Sequence, residues 1–164
     1  MIRSKPKPEK KGKKKRKSVR KVSPRGVLVK KAHALMRDIV LERDQHCVCP
    51  PPEKGHSAVR QAGHIIKSTK GGCRWSLWNV HEQCSSCNGR HEMDWTIYQK
   101  WFMLEFSSVS WIDLLEEKKN IGLKNYELEE IIVQFQAIIE QQKLHPEWKP
   151  YFTQAEILSG AWRL

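Results

Sequence analysis

The sequence predicts an α+β fold in which a small zinc-stapled ββα core is flanked by further helices and preceded by a disordered basic tail. Three observations carry that prediction. Two close cysteine pairs bracket a short segment of strand character, helical periodicity resumes on both sides of it, and the positive charge is crowded into the first 31 residues.

The 164-residue chain holds 30 Lys+Arg against 18 Asp+Glu, a net +12. Residues 1–31 carry 15 of those cations and a single acid, Glu9, so the remainder is nearly neutral. The run KKGKKKRKSVRK, Lys10 to Lys21, buries too little apolar surface to offset its ordering entropy and reads as disordered. Lys13, Lys14, Lys15, Arg16 and Lys17 suit a phosphate-tracking arm, although the same run also resembles a nuclear-localisation cluster or a solubilising tail. A chain this basic points to a polyanionic partner, above all nucleic acid. No apolar run reaches the roughly 18–20 residues that span a bilayer, which excludes a membrane protein of the helical kind. The basic start lacks the apolar stretch of a secretory signal, so a cytoplasmic location is expected. Five cysteines, an odd number, argue for thiolate or metal chemistry over a disulfide framework.

Along the chain, HALMRDIVLERD (His33 to Asp44) spaces Leu35, Met36, Ile39 and Val40 along one helical face. The prolines of CVCPPPEKG forbid regular structure. AGHII (Ala62 to Ile66) reads as a strand, KSTKGG as a loop, and CRWSLWNV as the returning strand of a hairpin. Helix resumes after Cys84. DWTIYQKWFMLEF (Asp94 to Phe106) is amphipathic, Ser110 caps a short helix over Trp111 to Lys119, and Asn125 caps a longer one through Gln142. Leu128, Ile131, Ile132, Phe135, Ile138 and Ile139 form the inward face of that last helix. Thr153-x-x-Glu156 is a capping box for a terminal helix. The domain reading is therefore a tail (1–31), a core domain (32–142, with its metal and catalytic part at about 44–95 and its helical part at 94–142) and a C-terminal extension (143–164).

Cys84-Ser-Ser-Cys87 and Cys47-Val-Cys49 supply four thiolates, the donor set of a structural zinc site. Such a site gives folding energy to a hairpin with little core of its own. The Cys47-x-Cys49 spacing is tighter than the usual knuckle, so His46, His56 or Cys73 are alternative donors. Between the pairs lie His64, Asn79 and, directly after Cys87, Asn88. A neutral imidazole can activate water against a phosphodiester, and an amide oxygen can hold a hard cation that polarises the phosphate.

QAGHII followed by RWSLWNVHEQCSSCN resembles the HNH (ββα-metal) nuclease motif, and more closely the NinG, or Rap, recombination endonucleases of lambdoid phages. The resemblance runs from RDIVLERD to near Gln142. It is similar in layout to the endonuclease VII type of junction resolvase, where two cysteine pairs also bracket the catalytic histidine. It implies a Mg²⁺- or Mn²⁺-dependent endonuclease that cuts Holliday junctions, D-loops and other branched DNA, with a structural Zn²⁺. By the same resemblance His64 is the general base, Asn88 the Mg²⁺ ligand, and Asn79 the residue that bonds across the hairpin loop to hold His64. Two departures stand out: Gly63 occupies the place where many members carry an acidic or histidine ligand, and the Cys47-x-Cys49 spacing is tight. Asn88 also stands where the wider motif ends in a histidine, so His81 or His91 are candidates for additional ligands. Arg60, Lys67, Arg74 and Arg90 are the candidates for contacting DNA and offsetting the transition-state charge. A four-way junction offers two symmetric strands, so a homodimer on branched or double-stranded DNA is expected, with no membrane partner. The alternative readings are a non-catalytic zinc-stapled DNA-binding protein and an HNH nuclease serving DNA packaging or host-DNA degradation.

Overall fold

The computed structural model describes residues 23–49, 55–67, 72–118 and 123–163. Among these residues the chain forms six helices and one two-stranded sheet. Lys13 to Lys17, the heart of the basic run, lie outside the described residues.

Helix α1 spans Pro24–Asp44, starting nine residues before His33. Residues 24–31, read from the sequence as part of the basic tail, are therefore helical. The cause is a start signal: the Ser23 hydroxyl accepts from the Gly26 amide, and Pro24 supplies a pre-set φ at the first helical position. Gln45 ends the helix in the left-handed region, φ 59°.

Strands β1 (Arg60–His64) and β2 (Val80–Cys84) pair antiparallel, with Gly63 opposite His81 and His64 opposite Val80. The returning strand is thus later than CRWSLWNV suggests. Gly72–Trp75 is instead a short 3₁₀ turn, and Trp75 and Leu77 enter the core from this connecting segment rather than from a strand. Two five-residue strands do not persist alone, so the hairpin depends on what packs against it.

Helix α2 (Ser85–Met93) follows β2 directly, then α3 (Thr96–Glu105), α4 (Ser108–Lys118), α5 (Asn125–Leu144) and α6 (Gln154–Ser159). Helix α4 begins two residues before the expected cap, because Ser107 Oγ, not Ser110, accepts from a main-chain amide there, that of Ser110 itself. Lys124, not Asn125, is the N-cap residue of α5. Thr153 and Glu156 form the reciprocal capping box expected of them.

Two apolar clusters result. The larger joins Met36, Ile39 and Val40 of α1 to Leu128, Ile131, Phe135 and Ile138 of α5, with Ile157 and Trp162 closing its end. The C-terminal extension set apart in the sequence reading therefore completes the main core through Ile157 and Trp162. Burial of each such side chain contributes about 1.5–3 kcal/mol. The smaller cluster lies under the cysteines and contains Ile65, Ile66, Tyr98, Phe102 and Trp111.

A buried ion pair joins α1 to the hairpin. Arg43 donates to both oxygens of Asp44, to the carbonyls of Leu77, Val80 and Pro150, and to Nδ1 of His81, while its guanidinium lies 4.2 Å from the Tyr151 ring centre. Asp44 in turn accepts from the Glu82 amide at 2.8 Å. Every donor and acceptor is matched, which is the condition for tolerating charge at such depth.

Candidate metal centre and catalytic pocket

The chain after α1 is tied to β2 by the Val48 amide donating to the Glu82 carbonyl at 3.0 Å, which brings Cys47 beside Cys84. The segment before β1 is tied to the start of α2 by Ser57 and Ser85, whose hydroxyls lie 2.8 Å apart, and by the Ser85 amide donating to the Val59 carbonyl. These ties deliver His56. Donor atoms of Cys47, His56, Cys84 and Cys87 all lie within 4.8 Å of one another. His56 Nδ1 is 3.6 Å from the sulfurs of both Cys84 and Cys87, close to the roughly 3.5–3.8 Å edge of a tetrahedral zinc site with Zn–S near 2.3 Å and Zn–N near 2.0 Å.

The set differs from the four-cysteine expectation: His56 takes the place assigned to Cys49. Cys49 is buried beside Cys47 and Cys87, and its thiol is pushed up by desolvation and by those neighbouring sulfurs. Cys84 is held down at about 5: desolvation opposes this, but the Ser86 hydroxyl, the Cys87 amide and His56 all donate toward its sulfur and win. Arg90 Nη2 lies 3.9 Å from the Cys87 sulfur, so this expected DNA contact faces the thiolates. His46 and Cys73 are outside the cluster. Cys73 lies instead against Asn79.

A second site lies beside β1, between α1 and α2. His33, Ala62, Gly63, His64, Lys67, Arg74, Asn88, His91 and Glu92 line a pocket of about 420 Å³. Its arrangement follows from three ties. Nε2–H of His64 donates to the Arg74 carbonyl at 2.9 Å, which fixes the tautomer and leaves Nδ1 with its lone pair. Burial, opposed by that carbonyl and aided by the Arg74 charge, lowers the His64 pKa and so favours the neutral ring. The Asn88 amide nitrogen donates to Gln61 Oε1 at 2.9 Å, so its Oδ1 is the atom left for a cation.

Asn79 spans the hairpin connection: its Oδ1 accepts from the Ile66 amide, and its Nδ2 donates to the carbonyls of Ile66 and Cys73. Its own carbonyl accepts from the Ile65 amide at 2.8 Å. The residues on either side of the connection are clamped, one of them next to His64 and the other next to Arg74.

The remaining expectations divide. Lys67, Arg74 and His91 line the pocket. Arg60 does not; it pairs with Glu82 and donates to the Leu41 carbonyl. His81 is no pocket ligand either. It is fully buried, accepts from Arg43 at Nδ1, donates to the Trp78 carbonyl from Nε2, and has a pKa lowered to about 3 by burial and the Arg43 charge. His91 donates from Nε2 to the carbonyls of His64 and Ile65, which leaves Nδ1 buried with its lone pair unpartnered.

Two pocket residues have no counterpart in the sequence reading. His33 accepts from the Arg74 guanidinium at 2.8 Å, and burial together with the Arg74 charge and His64 brings its pKa down to about 4. Glu92 supplies a carboxylate. Its position four residues after Asn88, one helical turn on, was the available signal.

The family model for the bacteriophage lambda NinG protein matches residues 2–145. The chain belongs to that family. NinG membership implies a function related to phage recombination. The match takes in the basic segment, which the resemblance read from the sequence left out. No curated protein and no solved structure matches the chain. Among the described residues no helix is long and apolar enough to cross a membrane.

Proposed function

We propose that this NinG-family protein is a Mg²⁺-dependent, HNH-type endonuclease that hydrolyses phosphodiesters in branched DNA such as Holliday junctions and D-loops. The observation that carries the reading is the shared pocket of His64 and Asn88, with the base held in a single tautomer by the Arg74 carbonyl. Nδ1 of His64 takes a proton from the attacking water. Asn88 Oδ1 and the Glu92 carboxylate are hard oxygen donors of the sort Mg²⁺ or Mn²⁺ prefers, and the pocket leaves space for its waters. When bound, that cation polarises the phosphate and steadies the leaving oxygen. Arg74 and Lys67 offset the extra negative charge of the transition state.

Zn²⁺ in the Cys47–His56–Cys84–Cys87 set is structural, fastening the loop after α1 to the start of α2. Met103, Leu104 and Ile112 leave apolar surface exposed on α3 and α4, which supports a homodimer presenting two such pockets to a junction. The second reading, a zinc-stapled DNA-binding protein without catalysis, draws on Gly63. A Cβ there meets the Gln83 side-chain amide at 2.6 Å, so an acidic ligand at this position would require Gln83 to move.

The test is incubation of purified protein with a four-way junction, linear duplex and single strand, with and without Mg²⁺ or Mn²⁺. Divalent-dependent nicking of the junction in preference to duplex is the expected result. Binding without cutting supports the second reading, and equal cutting of duplex leaves a nuclease without junction selectivity.

A further inference from the structure

Beyond the pocket of His64 the structure holds an aromatic groove of about 260 Å³, lined by Ile65, Ile66, Trp95, Trp111 and Leu115. Lys67, His91 and Glu92 line both cavities, so the groove and the pocket share a wall. The Trp95 and Trp111 rings stack at 22°, with centroids 6.1 Å apart. Trp111 is 5% exposed and belongs to the core, but Trp95 is 52% exposed. A large aromatic ring half in water costs hydration free energy, and this one is supported from behind by a second indole.

We infer that this groove takes an unstacked nucleobase from a strand whose backbone crosses the His64 pocket, with Trp95 as the stacking platform. The inference rests on the nuclease reading and names how its substrate is chosen. Three features favour a base over another apolar occupant. At about 260 Å³ the groove has the volume for a flat ring of nucleobase size. A cation, Lys67, stands where groove and pocket meet, as a phosphate between the stacked base and the scissile position requires. Trp95, half exposed and backed by the Trp111 ring, offers a flat face on which such a base can stack. Paired duplex cannot offer such a base without unstacking, which costs a few kcal/mol, whereas a branch point or single-stranded gap offers it at little cost. Selection of branched DNA then follows from stacking rather than from sequence.

The experiment uses the full chain with zinc bound and Ca²⁺ in place of Mg²⁺, so that DNA binds without being cut. A 5-iodouracil is placed in turn at each unpaired position of a splayed three-way junction, and complexes are cross-linked by long-wavelength light and mapped by mass spectrometry. Cross-linking at Trp95 is expected, lost in Trp95→Leu. Trp95→Ala is expected to lose roughly tenfold in affinity for the splayed junction and little for linear duplex, and Trp95→Phe to recover most of it. The half-exposed position makes a folding failure easy to recognise by zinc content. Absence of any cross-link in the groove, or equal losses on junction and duplex, overturns the inference, as does conversion of a dimer to a monomer by Trp95→Ala. Mg²⁺-dependent cutting by wild type is scored separately, so a failed base site and a failed nuclease reading give different results.

Discussion

Nε2 of His64 donates to the main-chain carbonyl of Arg74 at 2.9 Å, and the Arg74 side chain, from the same residue, donates to His33 at 2.8 Å. One residue therefore orients the proposed base through its backbone and presents a cation to the same pocket through its guanidinium. Substituting the side chain leaves the first function in place. Arg74→Ala should lower kcat by about 10²-fold, the scale for a lost transition-state donor. Its acid limb should move up, because the Arg74 charge is one of the causes that hold the His64 pKa down. An unmoved limb would show that burial alone sets the state of His64.

That acid limb has a defined sign. The folded pKa of His64 lies below 6.5 because burial disfavours the imidazolium. The neutral, competent form therefore predominates at pH 7, and activity falls as pH drops through a value below 6.5. Single-turnover rates between pH 5 and 8 check this; a limb centred above 7 would contradict it.

Zinc content distinguishes the two candidate ligand sets. The chain should hold one tightly bound Zn²⁺. Cys87→Ser should lose the ion and unfold the hairpin region, and His56→Ala should weaken retention by about 10- to 100-fold or more, whereas Cys49→Ser should keep stoichiometric zinc. Atomic absorption after dialysis against a graded chelator series reads all three. Loss of zinc from Cys49→Ser with retention in His56→Ala would restore the four-cysteine set.

The buried Arg43–Asp44 pair predicts both a mutational cost and a pH dependence. Arg43→Met leaves the Asp44 carboxylate buried without its partner and should cost about 3–5 kcal/mol in denaturant unfolding. Desolvation raises the Asp44 pKa, but the Arg43 hydrogen bonds and charge outweigh it, so the folded value is depressed. Its contribution is present above the unfolded pKa near 3.8 and is lost as pH falls through the folded value. His81, neutral and buried with a folded pKa of about 3 against 6.5, adds a slope that begins earlier: stability declines as pH drops below 6.5. Unfolding midpoints at pH 7, 5.5 and 4, with zinc content followed in parallel, should fall steadily. A flat series with zinc retained would contradict the assignment.

Deleting the basic segment should stop at residue 22. Residues 1–22 hold twelve of the 15 N-terminal cations, while Arg25 belongs to α1 and donates to Asn125 and the Leu123 carbonyl. The shorter deletion should weaken DNA binding and flatten its salt dependence while leaving the melting temperature unchanged. A deletion that also lowers the melting temperature would mean that the segment packs on the fold.

The local motifs were readable from the sequence because their partners are close in the chain: Cys84 and Cys87, and Asn88 at the next position. His56 was only an alternative donor, since a proline-rich stretch separates it from Cys47 and spacing rules do not count across such a sequence. His33 was out of reach because it arrives on a helix 31 residues before His64, and nothing local to Arg43–Asp44 signals its distant partners, the carbonyls of Leu77, Val80 and Pro150. Trp75 and Leu77 have strand-like character, yet they serve the core from a turn, which moved β2 to Val80–Cys84. Ser23-Pro24 carried a helix-start signal that the surrounding lysines hid.

Single-turnover cleavage of a four-way junction in Mg²⁺ by wild type, His64→Ala and Asn88→Ala, each verified for one zinc and unchanged junction binding, tests the nuclease reading most directly. Divalent-dependent nicking by wild type, reduced by about 10²- to 10⁴-fold in His64→Ala and comparably in Asn88→Ala, is the predicted result. Cleavage by His64→Ala at the wild-type rate, or none by wild type in either Mg²⁺ or Mn²⁺, would contradict it.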